Sequence, residues 1–471
     1  MENKCVWEKY DQKQLRELEK LNDGYREFLS QGKTERECTD LIVNACEKAG
    51  YVELQQLIKD KKQLKAGDKV YAVYMNKTVA MFNIGTQPFT DGLNILGAHI
   101  DSPRMDIKQN PLYEDGGFAY LDTHYYGGIK KYQWVTLPLA IHGVIIKKDG
   151  TTVELNIGEN EDDPVFFVSD LLIHLAQEQM EKKAAKVIEG EALDLIVGNR
   201  PILFGKDEEG KEEDKAKDLV KKGILQILKD NYDMEEEDFI SAELEVVPAG
   251  KAREAGFDRS MILSYGQDDR VCAYTSLMAM LDTKKAKRTI CCILVDKEEI
   301  GSVGATGMQS KFFENTLANV MNLKGEYSGL DLRTCLSNSC LLSSDVSSGF
   351  DPTYASSFDK KNVAYLGKGL VLNKFTGARG KSGSNDANAE YIAYLRNIFD
   401  KNNVSFQTAE LGKVDLGGGG TIAYILALYG MNVIDSGVAV LNMHAPWEAT
   451  SKADVYEAYR GYKAFVEGEG I

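Results

Sequence analysis

Four short apolar runs, each closing on side chains able to hold a metal, constrain this chain more than any other feature. LNILGAHID closes on His99 and Asp101, TICCILVDKEE on Glu298 and Glu299, CLLSSD on Asp345, and VAVLNMH on His444. An unbroken apolar run of this length, bounded by turn residues, fits a strand buried on both faces, as in a sheet covered by helices. In open α/β sheets, ligand sites lie just beyond the C-terminal ends of the strands. The four segments are far apart in sequence, and such a sheet can bring their ends together.

The rest of the chain fits that frame with one interruption. Residues 8–60 read as helices, with Leu15, Leu18 and Leu21 at helical spacing and Leu41, Ile42 and Ala45 on a second helix. The strand-like runs KVYAVYMN and TVAMFNIG follow. Residues 106–245 differ in texture. They hold IHGVIIKKDG and TTVELNIG as strands, DLLIHLAQEQMEKKAAK as a helix, and the charge run GKDEEGKEEDKAKD as a solvated loop or helix start. A helix, LVKKGILQILKD, and an alternating strand, FISAELEVV, close this stretch. From residue 246 the α/β pattern resumes with a helix at DDRVCAYTSLMAML. The expected organisation is an α/β core made of residues 1–105 and 246–471, interrupted by an insertion over 106–245.

Composition narrows the classes. The 471 residues, 43% hydrophobic and 27% charged, suffice for two or three domains or for one large domain with an insertion. Basic residues number 56 against 72 acidic ones, a formal net charge of −16, with no basic patch of useful size, which speaks against duplex binding. None of the eight cysteines forms a CxxC pair, so neither a disulfide framework nor a cysteine zinc knuckle is expected. The first residues, MENKCVWEKYDQKQLREL, are too polar for a signal peptide. No apolar run reaches the length of about 18 residues that a membrane helix needs. The expectation is a cytoplasmic protein with no nucleic-acid or membrane partner.

Each candidate residue has a plainer reading beside its chemical one. His99 and Asp101 are two apart and would face the same way on a strand, which suits a histidine ligand and the carboxylate that orients its ring. An exposed strand end is the alternative. Glu298 and Glu299 follow a buried strand, so one could bind metal while the other reaches the bound water as a general base. A solvated turn after Lys297 is the alternative. Asp268 and Asp269 open a helix, where they could be ligands or simply an N-cap with a favourable helix-end charge. Two histidines and three carboxylates would serve two divalent ions, one carboxylate bridging them. The GGGG run before TIAYILALYG could receive a substrate carbonyl or anion at a helix start, or serve tight packing. The GxxxxGK[ST] phosphate cradle is absent.

As a set, HIDSPR at 99–104, DDR at 268–270, DKEEIGS at 296–302, SSDVSSGFDP at 343–352, GGGGTIA at 417–423 and HAPWEATS at 444–451 resemble the M18 aminopeptidases in order and spacing. This is the aspartyl aminopeptidase family of di-zinc exopeptidases, and the resemblance covers nearly the whole chain. It implies an α/β fold: a mixed-sheet zinc exopeptidase core flanked by helices, with an inserted, mainly β dimerisation domain. It implies a metallo-aminopeptidase that hydrolyses the N-terminal residue of peptides with a free N-terminus. His99, Asp268 and Asp345 would hold one metal; Asp268, Glu299 and His444 would hold the other, with Asp268 bridging. Glu298 would be the general base and Asp101 would orient His99. The ions would be zinc, or else cobalt or manganese.

The resemblance also implies dimers that assemble into a tetrahedral dodecamer. LLIHL at 171–175 resembles the family segment whose histidine enters a neighbouring subunit's site, so His174 would stabilise the oxyanion in trans. A histidine on an amphipathic helix, or a metal ligand, are the other readings of His174. His124 and His142 read as structural. One departure bears on specificity: Ser348 and Asp351 stand where aspartyl members carry histidines, so a preference for N-terminal Asp or Glu is expected to be weak or lost. The competing functions are another di-zinc hydrolase, such as an N-acyl amino acid deacylase, and a non-enzymatic assembly protein with a vestigial site.

Overall fold

The computed structural model describes residues 5–202, 217–377 and 379–470, so the charged stretch 205–216 lies outside the described residues. The contacts within the chain define two units. The larger comprises Met1–Ser102, Ala252–Met443 and Trp447–Ile471, and the smaller Pro103–Lys251 with His444–Pro446.

The larger unit is built on a nine-stranded mixed sheet. In spatial order its strands are Val52–Glu53, Lys69–Tyr74, Thr78–Asn83, Ile290–Val295, Asn94–His99, Cys340–Ser344, Asn432–Gly437, Leu370–Asn373 and Phe406–Thr408. Asn94–His99 runs parallel to both of its neighbours, Ile290–Val295 and Cys340–Ser344, and Cys340–Ser344 runs parallel to Asn432–Gly437. Every residue of Ile290–Val295, Asn94–His99 and Cys340–Ser344 is buried, because helices cover both faces. One face packs Leu96, Cys292 and Leu342 against the helices Gln12–Gln31, Gln267–Asp282 and Lys452–Val466. The other packs Ile95, Ile293 and Leu341 against Phe312–Lys324 and Ala423–Ala427. Fully burying one such side chain contributes about 1.5–3 kcal/mol, which makes this double-sided core the main source of stability.

Local signals set the helix starts. Asp11 accepts from Lys13 N and Gln14 N, and Thr34 accepts from Glu37 N while Glu37 reaches back, so both helices open with capping boxes. Leu18, Leu21, Tyr25, Phe28 and Leu29 recur at the helical period and are the buried stripe of the first helix. A five-stranded sheet, Arg253–Ala255, Met261–Ser264, Glu448–Ser451, Ala439–Leu441 and Ser347–Ser348, completes the unit.

The smaller unit carries a six-stranded antiparallel sheet in the order Thr152–Ile157, Leu139–Ile146, Ala242–Pro248, Arg104–Asp115, Phe118–Tyr126 and Leu195–Gly198. Buried positions alternate with exposed or half-buried ones along 118–124, as expected of a strand with one wet face.

The helix expected over residues 170–186 is not continuous. It breaks into Ile173–Leu175, Gln177–Met180 and Ala184–Val187, and Leu171, Leu172, Ile173, Leu175 and Met180 are exposed. A helix this short gains its stability from packing an apolar face, and these side chains pack on little within the chain.

Candidate metal centre

The C-terminal edge of three adjacent parallel strands forms the floor of the site. His99 is the last residue of its strand and pairs with Val295, and Asp345 follows directly on Cys340–Ser344. A third contribution comes from the start of the helix Gln267–Asp282. Asp268 and Asp269 there have non-helical backbone angles, and the peptide between them is cis. The N-cap reading of Asp268 is not what the structure has: Gly266 is the cap residue, and no side chain caps this helix. Instead Asp268 is fixed from both sides of its backbone. Its N–H donates to Glu448 Oε2 at 3.0 Å, and its carbonyl accepts from Ser102 Oγ at 2.7 Å.

These elements bring donor atoms of His99, Asp268 and Asp345 within 4.8 Å of one another, and likewise those of His99, Glu298 and Glu299. An oxygen of Asp268 and one of Glu299 also fall within that distance. His99 Nε2 lies 3.3 Å from Asp268 Oδ1 and 3.9 Å from Glu298 Oε2. Although it is buried and has these oxygens beside it, Nε2 meets no hydrogen-bond geometry. Its other nitrogen is held: Nδ1 is 3.0 Å from the Asp101 carbonyl oxygen and 3.3 Å from Asp101 Oδ1. Asp101, fully buried, also accepts the N–H of Glu298 on Oδ1 and that of Glu299 on Oδ2, each at 3.1 Å. One carboxylate therefore orients both the ring of His99 and the turn that carries the two glutamates.

The electrostatics are those of a site short of positive charge. Burial lowers the His99 pKa, but the nearby carboxylates of Asp101, Asp268 and Glu298 outweigh it and raise it well above the usual histidine range. Burial first, then the charges of Asp268, Asp269 and Glu298, push Asp345 well above the ordinary carboxylate range. Burial does the same to Asp269, helped by Asp268. Carboxylates that raise one another in this way are relieved by a cation, which reverses the sign of the local field. An imidazole nitrogen aimed among carboxylate oxygens, with no hydrogen bond of its own, is a donor set that fits zinc.

His444 does not end a strand of the large sheet: the VAVLNMH run gives only the short strand Ala439–Leu441 of the five-stranded sheet. His444 lies past it at φ 66°, and its Nδ1 is 2.9 Å from the Gly128 carbonyl oxygen, so donation there leaves Nε2 as the acceptor nitrogen. His174 is exposed in the Ile173–Leu175 turn of the smaller unit. His142 is buried and bonds Glu159 Oε1 at 3.1 Å. Asp351 caps its own turn, accepting from Thr353 N at 2.8 Å. Glu448 and Asp296, both buried to within 1% exposure, were missed, because an acidic residue reads as surface until its neighbours are known.

Comparison with known proteins agrees with this geometry. Residues 28–466 match the family described as "Aminopeptidase I zinc metalloprotease (M18)". The chain is 62% identical over 465 residues to the "Probable M18 family aminopeptidase 1" of Clostridium acetobutylicum, covering 99% of this chain and 98% of that one. The crystal structure of an M18 family aminopeptidase from Thermotoga maritima superposes with a TM-score of 0.92 at 44% identity, covering 99% of each chain. The mApe1 dodecamer of S. cerevisiae shares the fold, with a TM-score of 0.74 at 20% identity over 94% of this chain and 95% of that one. The chain belongs to the M18 family of zinc metalloproteases and is a metal-dependent aminopeptidase.

Proposed function

We propose that this aminopeptidase works with two divalent ions, zinc in the first place and cobalt or manganese as alternatives, held by His99, Asp268, Asp345, Glu299 and His444. His99, Asp268 and Asp345 would hold one ion, and Asp268, Glu299 and His444 the other, Asp268 serving both. The observation that carries this reading is His99 Nε2, buried, without a hydrogen bond and facing Asp268 and Glu298. When bound, the ions supply Lewis acidity at the scissile carbonyl and an acidified water. Glu298, 13% exposed, is the general base: it takes the water's proton and returns it to the leaving amine. Asp101 keeps the His99 ring and the Glu298–Glu299 backbone in register.

The substrates are peptides with a free N-terminus, and the preference for N-terminal Asp or Glu is weak or lost, since Ser348 and Asp351 supply no cation where aspartyl members carry histidines. The protein works in the cytoplasm, as a dodecamer assembled from dimers that pair through the smaller unit; its eight unbridged cysteines suit a reducing compartment, and the mApe1 neighbour is a dodecamer. His174 acts across that dimer contact on the oxyanion, a role that the exposed Leu171, Leu172, Ile173 and Leu175 around it support as a contact surface.

The test is release of free amino acids from peptides differing only in the N-terminal residue, using zinc-loaded wild type, Glu298→Gln and His174→Ala. Both variants are expected to lose at least 100-fold in kcat with zinc retained. Full turnover by Glu298→Gln would exclude it as the base, and full turnover by His174→Ala would exclude the role in trans. Cleavage of blocked but not free N-termini would favour the deacylase.

A further inference from the structure

The loop that carries Glu298 and Glu299 is tied at its neck as well as at its crown. Asp101 grips the crown through the two backbone N–H groups already described. At the neck stands Asp296, which directly follows the strand Ile290–Val295 and is fully buried. Its N–H donates to the Thr306 carbonyl oxygen at 3.3 Å, and its Oδ2 accepts from Thr306 Oγ1 at 2.5 Å. The outgoing and returning ends of the loop are thus joined twice through the same two residues. Thr306 is in turn anchored to the sheet, its carbonyl oxygen accepting from Thr78 Oγ1 at 2.6 Å.

The rest of the loop is built against this neck. Lys297 sits in the left-handed region at φ 68°, and its Nζ lies 3.0 Å from Asp296 Oδ2. Its carbonyl oxygen accepts from Ser302 N at 2.7 Å and from Ile300 N at 3.3 Å. Glu35, 1% exposed at the first turn of Glu35–Lys48, stands against the Asp296 carboxyl. Burial, then the charges of Glu35 and Asp101, push that carboxyl up to about 7. Asp296 is neither ligand nor base in the proposed mechanism, yet it is buried where the loop starts, two residues before Glu298.

We propose that Asp296, latched to Thr306 and backed by Glu35, is a positioning residue: it fixes the neck of the loop and so sets where the Glu298 and Glu299 carboxylates stand. This rests on the roles given above to Glu298 and Glu299. A carboxylate moved by about 1 Å costs catalysis on the order of 100-fold, because base and ligand must meet the reacting atoms in one geometry.

Thr306→Val tests the latch with little change of volume, since it removes one hydroxyl and leaves every charge in place. Thr306→Ser restores the hydroxyl. The expected results are a kcat at least tenfold lower in Thr306→Val with KM within twofold of wild type, and recovery to within twofold of the wild-type kcat in Thr306→Ser. Zinc affinity, measured on the metal-free proteins by competition with a chelator, should also fall about tenfold for one ion in Thr306→Val only. Wild-type kcat and zinc affinity in Thr306→Val would overturn the proposal. So would equal impairment of both variants, or a loss in Thr306→Val that disappears at low temperature together with a lowered unfolding midpoint. If wild type itself released no amino acid from any peptide, the aminopeptidase roles would fail instead, and the zinc arm would still decide whether the latch places Glu299.

Discussion

Asp101→Asn is the sharpest perturbation of the site, because it changes one atom of a residue that touches His99, Glu298 and Glu299. Asp101 accepts the N–H of Glu298 and of Glu299 on separate oxygens, and Oδ1 also faces His99 Nδ1 at 3.3 Å. Asparagine keeps the volume but turns one oxygen into NH2. Whichever way the amide lies, one backbone N–H then faces a donor, and the charge beside His99 is gone. Losing a hydrogen bond to a charged acceptor costs about 1.5–3 kcal/mol. At 1.36 kcal/mol per decade, that is a fall of about 10- to 150-fold in kcat/KM. Removing the partner that orients a metal-bound histidine weakens metal binding by about 10- to 100-fold, an independent route to the same range. Leucine release from a leucyl peptide reads the first quantity, and zinc competition against a chelator reads the second. An Asp101→Asn enzyme within twofold of wild type in both would refute the claim that one carboxylate organises ring and turn.

Two further perturbations test the scaffold. A Cβ at Gly437 would lie 1.9 Å from the Asp345 carbonyl oxygen; Gly437→Ala must therefore displace Asp345, and about 100-fold lower turnover with weakened zinc binding is expected. A variant with normal zinc affinity and normal turnover would show that Asp345 does not depend on this close approach. Asp454 is fully buried and accepts the N–H groups of Gly367 and Gly369 at 2.7 Å each, and burial raises its pKa to about 7. A carboxyl raised in the fold holds its proton more tightly there than in the unfolded chain, so its contribution is full below the usual carboxylate range and is lost as pH rises through 7. Unfolding free energy should fall between about pH 4 and 7, by at most about 1.4 kcal/mol per pH unit, and Asp454→Asn should flatten that slope in urea titrations. Parallel pH curves for variant and wild type would rule this out.

Three of the four apolar runs became neighbouring strands of one sheet, because unbroken apolar text is what burial on both faces requires. The fourth misled: the sheet position beside Cys340–Ser344 went to Asn432–Gly437, whose buried Asp435 and Ser436 gave it a polar text, and VAVLNMH was left to a smaller sheet. Asp435 is tolerated there because Thr421 Oγ1 donates to it at 2.6 Å, a partner that only the folded chain provides. The convergence of His99, Asp268, Glu298, Glu299 and Asp345 could be expected from strand ends and a helix start. The backing of Glu448, Asp296 and Glu35 could not, since nothing in a first-turn glutamate such as Glu35 announces that it will be buried. The broken 170–186 segment shows the converse: its helical period is genuine, but period without a packing surface in the same chain does not make a helix.

The order of the strands has a consequence for synthesis. Asn94–His99 is made early, yet both of its sheet neighbours, Ile290–Val295 and Cys340–Ser344, come roughly 200–250 residues later. At about 5–20 residues per second, a growing chain carries His99 for some 10–50 s before Asp345 exists. During that interval the strand edge proposed above to carry the metal centre is incomplete, so the ribosome-bound chain is expected to leave the newly made N-termini around it uncut. The topology therefore delays completion of these three strands until about three-quarters of the polypeptide has been translated.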